Sequence, residues 1–341
     1  GSGDAVCTAT MVQEEVGTGE WNAERVEEGF LELQGELAPF ALAEEGSVHA
    51  RPEEQEALRQ RVRDLSTCAI TLFRSRMQLA RQQRQRVDGG GQQESAPERG
   101  LLVLFEGLDR SGKGTQVQML ARALEAAGRN VSQIGFPRRE TATGRMLDNY
   151  LRAKGRGWDL DAQTLHVLFA ANRWESADEI YRRLLSGADV VLDRYSFSGI
   201  AYSVAKSLDA NWCRAWEQGL LAPDLVFLLD ILPEVAAQRP GYGQERYERI
   251  EFQTKVRNAF VALQKSASED AAARAQPEPW IVLDGAGSIE ELATQVAHAV
   301  ERARHLRGPK NESDSLLDFS FGVPDPQPPF DGATTEKKSL V

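Results

Sequence analysis

The chain has 341 residues, 41% hydrophobic and 27% charged, with a formal net charge of −11. These proportions belong to a globular chain long enough for two units or for one domain with substantial extensions, and they exclude fibrous and disordered classes. The acidic balance argues against broad nucleic-acid binding, which needs clustered positive charge. Apolar runs such as 101–105 and 225–229 are of strand length, short of the roughly 20 residues of a spanning helix, so no membrane association is expected. The first residues lack a basic stretch followed by an apolar one, so no secretory signal is expected. Cys7, Cys68 and Cys213 are widely spaced and show no paired metal-ligand spacing. That usage suits a reducing compartment, cytoplasm or nucleus, with the thiols structural or incidental.

In chain order, residues 1–87 carry no lysine and no strand pattern. Acids dominate from Asp4 to Glu56, and arginines such as Arg59, Arg61, Arg63, Arg74 and Arg76 follow. Helices are expected near 22–38 and 53–86. Phe30, Leu31 and Leu33 would pack against Leu58, Val62, Leu65, Ile70, Phe73, Met77 and Leu79 in an antiparallel hairpin. Such a unit would be an interaction or assembly module, and its removal would leave catalysis elsewhere largely intact. The glycine-rich polar stretch 88–98 reads as a flexible linker. Residues 307–341 hold five prolines and no sustained period, as expected of a disordered tail in which Ser315 to Phe321 could serve as a docking peptide.

Between these flanks, residues 99–306 alternate apolar strands with amphipathic helices. Strands are expected at Leu101–Phe105, Val131–Phe136, Val190–Asp193, Leu225–Leu229 and Trp280–Leu283, forming an α/β fold with a parallel sheet covered by helices on both faces. Ligands of such sheets lie at the C-terminal strand ends. The first strand runs into Gly107-Leu-Asp109-Arg110-Ser111-Gly112-Lys113-Gly114-Thr115 and then a helical pattern. Glycines let successive backbone N–H groups curl toward a polyphosphate, the helix N-terminus adds a favourable dipole, and Lys113 brings a cation to the terminal phosphates. This is an ATP-binding phosphate loop. Such loops usually follow the lysine with Ser or Thr, whose hydroxyl holds Mg²⁺, whereas this chain has Gly114. The string Ser111-Gly-Lys-Gly-Thr115 resembles the loop of adenylate kinases, which implies metal held by phosphates and water.

Asp193 ends an apolar strand, where a carboxylate can hold Mg²⁺ through water or cap the next helix. Arg139 and Arg194, at strand ends, suit an acceptor phosphate. Phe169 and Arg173 share a helix face four residues apart. That spacing lets both reach one ligand, but by itself it more often marks a core phenylalanine beside a surface arginine in an ion pair.

Four strings now stand together with Phe105-Glu-Gly-Leu-Asp-Arg110: Phe136 to Gly144, Leu168 to Glu175, Asp193 to Gly199, and Arg239 to Glu248. In order and wording they resemble eukaryotic-type thymidylate kinases over about Gly100 to Ala303, with no comparable match on either flank. The resemblance implies phosphorylation of dTMP to dTDP by ATP with Mg²⁺, in-line, in a homodimer. It implies that Arg139 and Arg194 bind the acceptor phosphate, and that Phe169 and Arg173 take the thymine ring. Ser198 and Gly199 would line the pocket. Tyr202 would disfavour a 2′-hydroxyl, and Asp109 would contact the 3′-hydroxyl. Arg110 would act as an arginine finger in cis. The segment Pro240 to Gly243 would be a lid, with Arg239 on adenine and Arg246 a further lid cation. The acceptor is already an anionic oxygen, so no general base is needed and His166 is assigned to packing. A kinase for UMP or CMP, and a degenerate kinase retained as an interaction module, are the competing readings.

Overall fold

Side chains alternate across a strand, so a strand apolar at every position must be covered on both faces. The computed structural model describes residues 31–32, 52–88, 99–152, 160–243, 245–273 and 280–307. Its strands are β1 (Leu102–Gly107), β2 (Val131–Gly135), β3 (Asp189–Asp193), β4 (Leu225–Asp230) and β5 (Trp280–Asp284), differing from the expected segments only at their ends. They form one five-stranded sheet in the order β2-β3-β1-β4-β5, every pairing parallel. The helices are α1 (Pro52–Asp88), α2 (Lys113–Ala126), α3 (Ala142–Arg152), α4 (Ala162–Glu175) and α5 (Ala177–Leu185). Then follow α6 (Ser196–Val204), α7 (Ala210–Glu217), α8 (Pro233–Ala236), α9 (Ile250–Ala273) and α10 (Ile289–Arg307).

The period of two sorts the sheet onto two cores. Leu102, Leu104, Leu192 and Leu228 face the larger one, with α4, α6 and α9. Val103, Phe105, Val191, Phe227 and Leu229 face the other, closed by Val117, Leu120 and Leu124 of α2 and by Leu292, Val296 and Val300 of α10. The register sets Phe105 opposite Asp193 and Gly107 opposite Leu229, so the phosphate-loop backbone and the β3 carboxylate emerge side by side.

The N-terminal helix departs from expectation. Val62, Ser66, Ala69, Ile70 and Met77 form a buried stripe at helical spacing along α1. With Leu72, its apolar members belong to the same core as Leu165, Leu168 and Trp174 of α4. Arg63 donates to Asp161 Oδ2 at 3.1 Å and to Thr164 Oγ1 at 2.9 Å, gripping the residue that caps α4. The apolar face assigned to a hairpin partner therefore packs on the α/β body. Of the expected first helix only Leu31 and Glu32 are described, and Leu31 is exposed. The rest of 22–38, linker residues 89–98, Cys7 and the tail from 308, with its docking peptide, lie outside the described residues.

Candidate active site

A phosphate loop needs a backbone that turns back on itself at the end of a buried strand. Gly107 (φ 139°) and Gly112 (φ 102°) make that turn, in a region of φ that a Cβ disfavours. A Cβ on Gly107 would also sit 2.5 Å from Leu229 O. Lys113, the first residue of α2, is buried and donates to Leu108 O at 2.6 Å and Gly107 O at 3.2 Å. Burial, reinforced by the neighbouring Arg194, pulls its pKa down to about 8, against the pull of Asp193, Asp109 and Glu106. Gly114 stands beside Asp193, whose Oδ2 is 3.4 Å from where a Cβ would be. Asp193 does not cap the next helix. That role falls to Glu106, which accepts from Tyr195 N at 3.0 Å, Ser198 N at 2.9 Å and Ser198 Oγ at 2.5 Å. Burial pushes the Glu106 carboxyl above its usual range, opposed by Ser198 and Arg194.

Arg194 (φ 67°) leads into α6 and donates to Asp109 Oδ1 at 2.5 Å, Ser198 Oγ at 3.1 Å and Gly107 O at 3.0 Å. Burial alone would favour its neutral form, but Tyr202, Asp109, Asp193 and Glu106 outweigh it and hold the guanidinium charged. Asp109 also accepts from Tyr202 Oη at 3.0 Å and Gln253 Nε2 at 2.8 Å. Its burial favours protonation, yet Arg194, Lys113 and these hydrogen bonds keep it ionised. The arrangement is a charged crossing of β1, β3 and α9 through which two phosphate groups could be drawn together.

On α4, Phe169 is partly buried and Arg173 fully so, its guanidinium forming a forked ion pair with Glu217 at the end of α7, with Nε 2.8 Å from Oε2. A Cβ on Gly199 would lie 2.4 Å from Arg173 Nη2, so glycine there is what lets the arginine pass. Burial raises the Glu217 pKa, and Arg173 and Arg74 oppose the rise. His166 bonds Cys213 O at 3.1 Å and Ser203 Oγ at 2.8 Å, and burial, with Arg173, lowers its pKa to about 3. It is a neutral packing group. Burial likewise pushes Cys68 and Cys213 up to about 12, so both thiols are protonated.

Arg139 pairs with Asp148 and, at 2.7 Å, with Glu245 of the segment after α8. Arg110 (φ 60°) reaches Gly241 O at 2.7 Å and Glu248 Oε1 at 3.3 Å, so the loop cation meets the expected lid. Arg239 crosses from Arg110 O, at 2.6 Å, to Gly285 O, also at 2.6 Å. Arg246 stacks 4.3 Å from the Tyr150 ring centre.

Asp109 through Thr115, Arg139, Phe169, Arg173, Asp193, Arg194, Ser198, Gly199 and Tyr202 all line one cavity of about 440 Å³. Gly107, Arg239 and Arg246 lie outside that lining. Glu106, Gln253, Glu217 and Asn172 escape a reading of the sequence, although they hold Ser198, Asp109, Arg173 and the backbone of Arg138. Glu106 alone leaves a trace there, as a carboxylate closing an otherwise apolar strand.

The family model described as thymidylate kinase matches residues 105–296. A thymidylate kinase of Arabidopsis thaliana is 43% identical over 61% of this chain and 73% of its own length. One from Schizosaccharomyces pombe is 43% identical over 60% and 94%, and the Homo sapiens enzyme 39% over 58% and 88%. The structure of thymidylate kinase from Candida albicans superposes with a TM-score of 0.56 at 33% identity, over 64% of this chain and 98% of that one.

Proposed function

The chain belongs to the thymidylate kinase family, and on that premise we propose that it transfers the γ-phosphoryl group of ATP to dTMP, giving ADP and dTDP. The observation that carries this reading is the placing of Arg173, buried and held by Glu217 beside Phe169, in the same cavity as Lys113 and Arg194. A base-reading arginine and a phosphate cradle then face one another across a nucleotide-sized space.

In this reading the loop N–H groups and Lys113 hold the β- and γ-phosphates of ATP. Arg194 and Arg139 receive the acceptor phosphate, Arg139 exchanging Asp148 and Glu245 for it. Arg110 swings from Gly241 O to the transferring group, where a cation offsets charge in the transition state. Tyr202 and Asp109 meet the deoxyribose, with Gln253 and Arg194 fixing the carboxylate. Arg239 and the glycine-flanked segment up to Gly243 cover the adenine side and exclude water, a competing acceptor.

Among the described residues no group of three His, Cys, Asp or Glu side chains could hold a metal. Mg²⁺ fits such a site, since it keeps several waters and needs only one or two carboxylates plus substrate phosphates. Asp193 beside Gly114 is the carboxylate we assign to it, through water. When bound, the ion would neutralise charge on the β- and γ-phosphates. Among the described residues no helix is long and apolar enough to cross a membrane. The compartment we propose is a reducing one, cytoplasm or nucleus, and the two free buried thiols, Cys68 and Cys213, are what supports it. The homodimer implied by the resemblance is carried with the proposal, and a monomeric mass in light scattering would remove it.

Release of ADP, measured against dTMP, dUMP, UMP, CMP and AMP, tests the reading. The highest kcat/KM is expected with dTMP. Folded protein that binds ATP yet turns over none of these acceptors would leave only the interaction-module alternative, and preference for UMP or CMP would favour the other kinase.

A further inference from the structure

Helix α1 lies outside the residues matched by the family, yet it touches α4 at both ends of the segment that carries Phe169 and Arg173. At one end Arg63 holds the capping Asp161. At the other, the Arg74 guanidinium lies 5.2 Å from the Trp174 ring centre and donates to Ala215 O at 3.4 Å, near the C-terminus of α7. A cation there is favoured by the helix dipole. The last residue of α7 is Glu217, fully buried, whose carboxylate forks onto Arg173. Trp174, under Arg74, in turn donates to Trp216 O at 2.9 Å.

Resting on the dTMP reading above, we infer that Arg74 of the N-terminal helix is a positioning residue for the acceptor base site. It acts through Glu217 and Trp174 to hold Arg173 in line. The logic is electrostatic. A buried carboxylate is costly unless positive charge surrounds it, and a single partner that must also bind a ligand cannot give its whole charge to the pair. The groups facing Glu217 are Arg173 and His166 from α4, Arg74 from α1 and Cys213 from its own helix. His166 and Cys213 are uncharged, so Arg74 is the second cation that favours the Glu217 carboxylate against the burial that disfavours its charge, while Arg173 engages the base. The helix is thereby part of the substrate-reading machinery, in contrast to the separable module suggested by its sequence.

The test compares Arg74→Met, Arg74→Lys and Arg63→Gln in the full chain, with Arg63→Gln loosening the docking of α1 at the end remote from Glu217. Arg74→Met is expected to raise the dTMP KM, and the dTMP dissociation constant in calorimetry, roughly three- to tenfold, the size of effect seen for residues coupled to a site through packing. The ATP KM and kcat should hold, and Arg74→Lys should restore most of the affinity. Arg63→Gln should lower Tm and leave dTMP affinity in place. An unchanged dTMP KM in Arg74→Met overturns the inference. So does an equal rise in Arg63→Gln, or a joint fall of kcat and both affinities that lysine does not rescue. Failure of the wild-type chain to bind or phosphorylate dTMP would instead remove the parent reading, and this inference with it.

Discussion

The two halves of the cavity are built on different principles. The half we assign to ATP is built on one contiguous segment, Gly107 to Thr115, whose turn is set by local φ values and whose lysine is placed by the first turn of α2. The half we assign to the acceptor is dispersed. Arg173, Glu217, Gly199 and Tyr202 come from three helices, and their alignment depends on how those helices pack. A local device tolerates change elsewhere, whereas a dispersed one transmits it.

That contrast can be broken or sharpened by substitution. The largest effect belongs to the donor half. Lys113→Met should lower kcat by about two to three orders of magnitude, as expected when a preorganised charge on the transferring group is lost. Steady-state kinetics with thermal melting would check it, and a small loss would make the loop a binding cradle only. Gly199→Ala comes next. Its Cβ would displace Arg173 and crowd Glu217 Oε1, 3.0 Å away, so the dTMP KM should rise by about tenfold, or about 1.4 kcal/mol. An unchanged KM would show the acceptor half to be more compliant than its packing suggests.

A smaller effect concerns stability against pH. His166, under the acceptor half, titrates near 3 when folded against 6.5 for the free side chain. The unfolded chain therefore takes up the proton first, and stability is lost as pH falls below about 6.5, with a limiting slope of about 1.4 kcal/mol per pH unit. Urea midpoints between pH 7 and 5 should show this slope in wild type and a flatter one in His166→Gln. Smallest of all is Gly114→Ser. The side chain fits at ordinary contact distance from Asp193, so rate and Mg²⁺ dependence should change less than about threefold. A large gain would show that the missing hydroxyl limits the natural loop.

Much of this was legible beforehand because it is local. Strand positions follow from short apolar runs and the phosphate loop from glycine spacing before a helix, whereas the pairing of Phe169 with Arg173 at one ligand came from resemblance to a family and not from their four-residue spacing. The partners of those groups were not legible. Gln253 reaches Asp109 across 144 positions and Glu217 reaches Arg173 across 44, and no local pattern selects one carboxylate or amide over its neighbours at such separations. Helix α1 shows the same limit. Its periodicity correctly marks Val62, Ile70 and Met77 as a buried face, but amphipathicity does not say what covers that face.

From the sequence alone came the parallel α/β class and the phosphate loop with its glycine at position 114, which rest on backbone geometry and periodicity within a few residues, while the acceptor-side residues proposed for the cavity came from resemblance of whole strings to a family. Only the tertiary structure decided that α1 joins the body at α4, that Arg110 and Arg239 tie the loop to the segments around Gly241 and Gly285, and that Arg173 is aimed by Glu217. Burial of apolar surface and pairing of buried charge are satisfied by whatever the fold brings near, and sequence distance places no bound on that choice.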